Sequence, residues 1–153
     1  MSEQLVFIKS IAEGATEAYR ETGVFASVTI AQAILESGWG KSGLAQKANN
    51  YFGIKCSEGW DGEACRMPTK EVVMGRTIVV MAAFRKYPDR SGSIRDHAAF
   101  LTKNKRYKPA FEAKDGYEFA RAIAKAGYAT DPLYHVKLTD IIKRYNLVQY
   151  DIL

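Results

Sequence analysis

The sequence predicts a mainly helical α+β domain: a helical lobe carrying one small β-hairpin, with a cleft between the two lobes. Three observations predict it. Apolar residues recur at helical spacing before residue 49 and again after residue 92. Between those regions, "KEVVMGRTIVVMAAFRKY" is rich in β-branched and aromatic residues and is broken at Met74–Gly75–Arg76. The stretch from Tyr51 to Thr69 is rich in Gly, Asp, Ser and Pro and reads as loop. A length of 153 residues suffices for one packed core. With no internal repeat or low-complexity tract, residues 1–153 are expected to form a single domain, its β-lobe spanning about residues 51–90.

Each element has its own signal. Ser2 can cap a first helix whose apolar face is Leu5, Ile8, Ala12, Ala15 and Tyr19, closed by Gly23. Ser27 is expected to cap a second helix carrying Val28, Ala31, Ile34 and Leu35 and ending at Glu36. Ser42 precedes a short turn of helix over Leu44–Ala48. The hairpin is expected to pair Lys70–Val73 with Thr77–Tyr87. Ser93 starts a helix with Ile94, His97, Ala98 and Leu101 on one face. Asp115 and Glu118 form a capping-box pattern before Phe119, Ala120 and Ile123, and Gly127 closes that helix. Asp131–Pro132 signals the last helix, with Leu138, Ile141, Ile142 and Tyr145 inward.

Composition excludes several classes. Net charge is +5, but the basic residues are scattered; the densest tract, "KNKRYKP", reads as a solvated loop, and no nucleic-acid-binding signature occurs. No apolar run reaches membrane-spanning length, so membrane insertion is not expected. "MSEQLVFIKS" lacks a basic n-region and an apolar h-region, so no signal peptide is read there. Cys56 and Cys65 flank "SEGWDGEA"; a bridge and two free thiols are both open. Two cysteines without a nearby histidine do not complete a metal shell, and no cofactor motif is present. His97 falls on an inward face and reads as a core residue; His135 shows no partner, and no serine sits in a nucleophile elbow.

Carboxylates and aromatics remain. In "AILESGWGKS" an apolar helix ends on Glu36, followed by Trp39 between two glycines. The partial negative charge of a helix C-terminus disfavours a carboxylate, and Trp39 and Tyr51 could desolvate it; both effects raise a carboxyl pKa, as a general acid requires. A solvated helix end is the competing reading. Glu71, at the start of the hairpin, would face Glu36 across the cleft, the pairing used in glycoside hydrolysis. Its competing reading is an exposed strand residue. Tyr51, Phe52, Trp60, Phe84, Tyr87, Tyr107 and Tyr128 cluster near lobe edges and suit the apolar faces of sugar rings; Phe84 reads as core, and Tyr128 sits on an inter-helix connection.

At this point "AQAILESGWGKSGLAQKANNYFGIKC", "TKEVVMGRTIVVMAAFRKY" and "AGYATDPLYHVKLTDIIKRYNL" resemble, in order, the motifs of the bacterial cell-wall glucosaminidases of glycoside hydrolase family 73. The resemblance implies a lysozyme-like fold and an endo-β-N-acetylglucosaminidase that hydrolyses the β-1,4 bond between N-acetylglucosamine and N-acetylmuramic acid in peptidoglycan. It implies Glu36 as general acid, Glu71 as the second carboxylate and Tyr128 as the tyrosine near the cleaved sugar. Trp39, Asn50, Phe52 and Gly53 match groove residues, to which the aromatic pattern adds Tyr51 and Trp60. The expected partner is a peptidoglycan strand, the expected state a monomer, and the expected place the cell wall, reached by secretion or phage delivery. The alternatives are a lytic transglycosylase and a non-catalytic wall-binding module.

Overall fold

The computed structural model describes residues 1–57 and 59–153. Helix α1 (Glu3–Thr22) opens where Ser2 Oγ accepts from the Leu5 amide at 3.1 Å and closes at Gly23, whose φ of 86° lets its N–H reach Tyr19 O. Phe7, Ile8, Ile11, Ala12, Ala15 and Ala18 face inward. Leu5, expected on that face, is exposed, because the stripe is centred on Phe7 and Ile11.

Helix α2 (Ala26–Ser37) is the centre of the molecule. Every residue from Ala26 to Ile34 is buried, under α1, α5 (Gly116–Lys125), α6 (Tyr134–Arg144) and a C-terminal 3-10 turn, Leu147–Tyr150. A helix apolar all round must be covered all round. Ser27 does not cap it. Ser27 lies inside the first turn, and its N–H and Oγ both donate to the Asp151 carboxylate, each at 2.7 Å. Asp151 thus does from 124 residues away what a local cap would do. The helix runs to Ser37, and Gly38, Trp39 and Gly40 then take φ of 53°, 62° and 78°. This left-handed turn explains the glycines flanking the indole.

After α3 (Gly43–Ala48), capped by Ser42, a loop leads to β1 (Ala64–Val73) and β2 (Arg76–Arg85). The strands are antiparallel with Glu71 opposite Ile78. Met74 and Gly75, at φ 51° and 78°, make the two-residue turn that matches strand twist. β1 starts at Ala64 rather than Lys70, since Pro68 is tolerated on an edge strand. Side chains alternate: Cys65, Met67, Thr69 and Glu71 are half-buried on the inner face, while Arg66, Pro68 and Lys70 face solvent.

The segment through Lys55 joins the other edge of β2: Arg85 N–H donates to Ile54 O and Cys56 N–H to Ala83 O. β2 therefore lies between Cys56 and Cys65. Two strand spacings, about 10 Å, exceed the reach of a disulfide, and both thiols are free.

Helix α4 (Arg90–Lys103), capped by Asp89, buries Ile94, His97, Ala98 and Leu101 against α1. The basic tract is not a solvated loop. Lys105–Glu112 is a 3-10 helix, and Tyr107 and Ala110, eclipsed at i and i+3, are buried beneath its charges. Asp115 accepts from Glu118 N–H at the start of α5, whose inner face is Phe119, Ala120 and Ile123. α6 begins at Tyr134, later than Asp131–Pro132 suggests, because Asp131 Oδ1 caps the Leu133 amide in a preceding turn. Among the described residues, no helix is long and apolar enough to cross a membrane.

Candidate active site

Glu36 is the penultimate residue of α2, and the burial of that helix carries its carboxyl inward with it. The side chain is largely enclosed, and desolvation raises its pKa. One hydrogen bond opposes the shift: Tyr134 Oη, in the first turn of α6, donates to Oε2 at 2.7 Å. Burial is the larger effect, so the carboxyl holds its proton to higher pH than a free glutamate. Oε1 faces a different element. A Cβ placed on Gly53 would lie 3.5 Å from it, and Gly53 has φ 69°. The loop after α3 thus presents backbone, without a side chain, to this oxygen.

That loop is fixed by Asn50, which is 1% exposed. Its Nδ2 donates to Ile54 O and Arg85 O, each at 2.9 Å, and its Oδ1 accepts from the Phe52 and Ile54 amides, each at 3.3 Å. One amide thus folds residues 50–54 and ties them to the end of β2. Phe52 is buried, with its ring stacked on His97 at 4.0 Å, and its carbonyl accepts from Tyr128 Oη at 3.0 Å. Tyr128 lies parallel to Tyr134, ring centroids 5.8 Å apart. Burial and the neighbouring Glu36 push the Tyr128 phenol well above its ordinary pKa, so it stays a hydrogen-bonding phenol. Glu36, Gly53, Phe52 and Tyr128 are therefore brought together, with Tyr134 completing the wall.

The remaining sequence-predicted residues lie elsewhere. Tyr51 is buried, its Oη accepts from Arg90 at 2.9 Å, and its ring lies beneath that guanidinium. Trp39 packs edge-on against Phe7 and Tyr145, at 6.0 and 5.1 Å. Glu71 is half-buried on the inner face of the hairpin, and Lys55 Nζ meets its Oε1 at 2.6 Å. Lys55 stands opposite Phe84 and Glu71 opposite Ile78. Those levels are about 20 Å apart along an extended strand, so the contact requires the ribbon to coil back over the loop. Trp60 lies under Arg85, 4.8 Å from ring centroid to guanidinium. With Asp96, Phe100 and Lys103 it lines a concavity of about 490 Å³ that Glu36 does not border. Phe100 separates the two places, packing edge-on to Tyr128 at 6.2 Å.

Sequence reasoning missed Tyr134 and Gln32. Gln32 is fully buried in α2; its Nε2 donates to Tyr134 Oη at 3.0 Å and its Oε1 lies 2.7 Å from His97 Nε2. The available signal was a lone amide in the apolar run "TIAQAIL", which must find partners once buried.

Comparison with known proteins places this geometry. Residues 12–147 match the family model Glucosaminidase, described as mannosyl-glycoprotein endo-beta-N-acetylglucosaminidase. The chain is 44% identical to the exo-glucosaminidase LytG of Bacillus subtilis, over 99% of this chain and 55% of the relative. It is 38% identical to the peptidoglycan hydrolase FlgJ of Pseudomonas aeruginosa, over 94% of this chain and 37% of the relative. It thus spans about half or less of the length of these curated relatives. The crystal structure of the catalytic domain of the Listeria monocytogenes autolysin Auto superposes with a TM-score of 0.86 at 34% identity, covering 99% of this chain and 89% of that one. A peptidoglycan hydrolase from Sphingomonas sp. A1 gives 0.80 at 33%, covering 97% and 92%. The neighbours share the helical lobe with its two-stranded hairpin, and the chain belongs to the glucosaminidase family, glycoside hydrolase family 73.

Proposed function

We propose that this domain is an endo-β-N-acetylglucosaminidase that hydrolyses the β-1,4 bond between N-acetylglucosamine and N-acetylmuramic acid in peptidoglycan. It acts in the cell wall as a monomer on a glycan strand. The observation that carries this reading is the Glu36 carboxyl, its pKa raised by burial and its Oε1 set beside Gly53, which presents no side chain to it. A buried acid of this kind protonates the glycosidic oxygen as the bond breaks. Glu71 approaches from the hairpin, held by Lys55, and serves as base to water or as a stabiliser of the oxocarbenium-like transition state. Tyr128 lines the cleaved sugar, a role supported by its phenol's bond to Phe52 O beside Gly53. Asn50, Phe52 and Gly53 shape the groove floor beside the acid, while Trp39 and Tyr51, packed toward α1, and Trp60, in the neighbouring concavity, stand back from Glu36.

The test is Glu36→Gln incubated with purified sacculi. Loss of reducing-sugar release by at least about a hundredfold is expected, within the range general acid catalysis supplies; wild-type release removes Glu36 from the role. Product mass separates hydrolysis from transglycosylation: a reducing N-acetylglucosamine end is expected, and an anhydro-muramic end would indicate a lytic transglycosylase.

A further inference from the structure

The groups behind Glu36 form a series that hydrolysis by a carboxyl alone does not require. His97 is fully buried, and burial lowers its pKa to about 3, so the imidazole is neutral and carries one ring proton. Its Nε2 lies 2.7 Å from Gln32 Oε1, while Nδ1 is buried with no hydrogen-bond partner among the described residues. A proton on Nδ1 would leave an orphaned buried N–H, which folded proteins tolerate less well than a bare acceptor. The proton therefore sits on Nε2 and is donated to Gln32 Oε1.

That fixes the rest. With its oxygen toward His97, Gln32 turns its Nε2 to Tyr134 and donates to Oη at 3.0 Å. Having accepted there, the phenol directs its own proton away, to Glu36 Oε2 at 2.7 Å. We propose that His97, Gln32 and Tyr134 form a one-way hydrogen-bond chain that reserves Glu36 Oε2 as an acceptor and confines the acidic proton to Oε1, the oxygen beside Gly53. A proton on Oε2 would meet the Tyr134 O–H head-on. Relieving that clash means reversing every link and stranding an N–H on His97. Tyr134, Gln32 and His97 are thus positioning residues: they decide which oxygen of the acid is loaded.

The inference rests on the reading of Glu36 as the acid. The titratable groups facing that carboxyl are Tyr134 from α6 and Tyr128 from the α5–α6 connection. On the proposed reading the hairpin adds Glu71, whose charge is paired with Lys55 of the Gly53 loop, and His97 on α4 reaches the carboxyl through Gln32 and Tyr134. Because the Tyr134 bond lowers the Glu36 pKa, removing it raises that pKa. A general acid loses activity as pH rises through its pKa, so the alkaline limb of the rate profile moves up.

Two measurements test the chain. In the wild-type protein, imidazole ¹⁵N shifts should show His97 protonated at Nε2 and bare at Nδ1; the reverse assignment overturns the proposal without any variant. On sacculi, Tyr134→Phe should shift the alkaline limb of kcat to higher pH and lower kcat about tenfold, the scale of one charge-assisted hydrogen bond, with KM within about twofold. Gln32→Met should move the limb the same way by less. An unmoved limb in both variants overturns the chain. If Glu36→Gln is inactive while those limbs stay put, only this inference fails; if Glu36→Gln is active, the reading of the acid itself fails.

Discussion

Replacing Asn50 separates a residue that shapes the groove from one that touches sugar. Its side chain makes two donated and two accepted hydrogen bonds, all to backbone, from a position 1% exposed. At about 1 kcal/mol net per bond, Asn50→Ala should lose about 4 kcal/mol. The Ile54 and Arg85 carbonyls and the Phe52 and Ile54 amides are then left to find water in a closed space. For a domain of this size about 2–4 °C is lost per kcal/mol, so Tm should fall by roughly 8–16 °C. The same change loosens residues 50–54 and with them the Gly53 opening and the Phe52 carbonyl that anchors Tyr128. At a temperature where the variant is folded, kcat should drop more than KM rises, because the catalytic geometry is disturbed while the hold on the glycan is kept. Asn50→Asp keeps the two acceptors, removes both donors and sets a carboxylate against two carbonyls, so it should be no more stable than the alanine variant. Thermal melts and saturation kinetics on sacculi read both effects. A Tm within about 2 °C of wild type with KM alone raised would refute the reasoning.

Further expectations concern the two carboxylates. Lys55 and Glu71 are 50% and 37% exposed in their side chains, so their pair contributes at most about 1 kcal/mol. Lys55→Met should leave Tm within about 4 °C yet lower kcat severalfold; full activity would show that the hairpin needs no such pin. Glu36 has a raised pKa in the folded state, so its favourable contribution is complete below the unfolded glutamate pKa and is lost as pH rises through the folded value. Glu36→Gln, which keeps an acceptor for Tyr134, should therefore be more stable than wild type at pH 8 and should lose that advantage at pH 4. Urea midpoints of both proteins at the two pH values check this, and a difference from wild type that is the same at pH 8 and pH 4 contradicts the buried-acid reading.

Local chemistry was legible in the sequence wherever one turn of chain decides the outcome. The caps at Ser2, Ser42 and Asp115 each bond an amide three residues on, as their spacing suggests. The faces of α4 and α5 follow from period alone. Ser27 has the same look as those caps, but its partner is Asp151, which no local window contains. The length of β1 was hidden because Pro68 and the charges around it mask the alternation of Cys65, Met67, Thr69 and Glu71. The tract from Lys103 to Pro109 reads as solvated because its lysines and arginines outnumber the one ring that anchors it, Tyr107.

At the site, the position of Glu36 at the end of an apolar helix was readable, and so was the connection bearing Tyr128. The rings expected beside the acid, Trp39 and Tyr51, turn toward α1, and Tyr134 takes that place. Residue 134 contacts residues 36 and 32 through bonds spanning 98 and 102 positions. Such pairings follow from how α6 crosses α2, which spacing along the chain does not encode.

Proton donation at this site depends on the protonation of one carboxyl. A ¹³C titration of the Glu36 side chain in the wild-type protein measures it directly. The predicted midpoint lies clearly above the ordinary glutamate value of 4.5, and it rises further in Tyr134→Phe. A midpoint at or below 4.5 would mean that Glu36 is ionised at neutral pH and cannot be the proton donor.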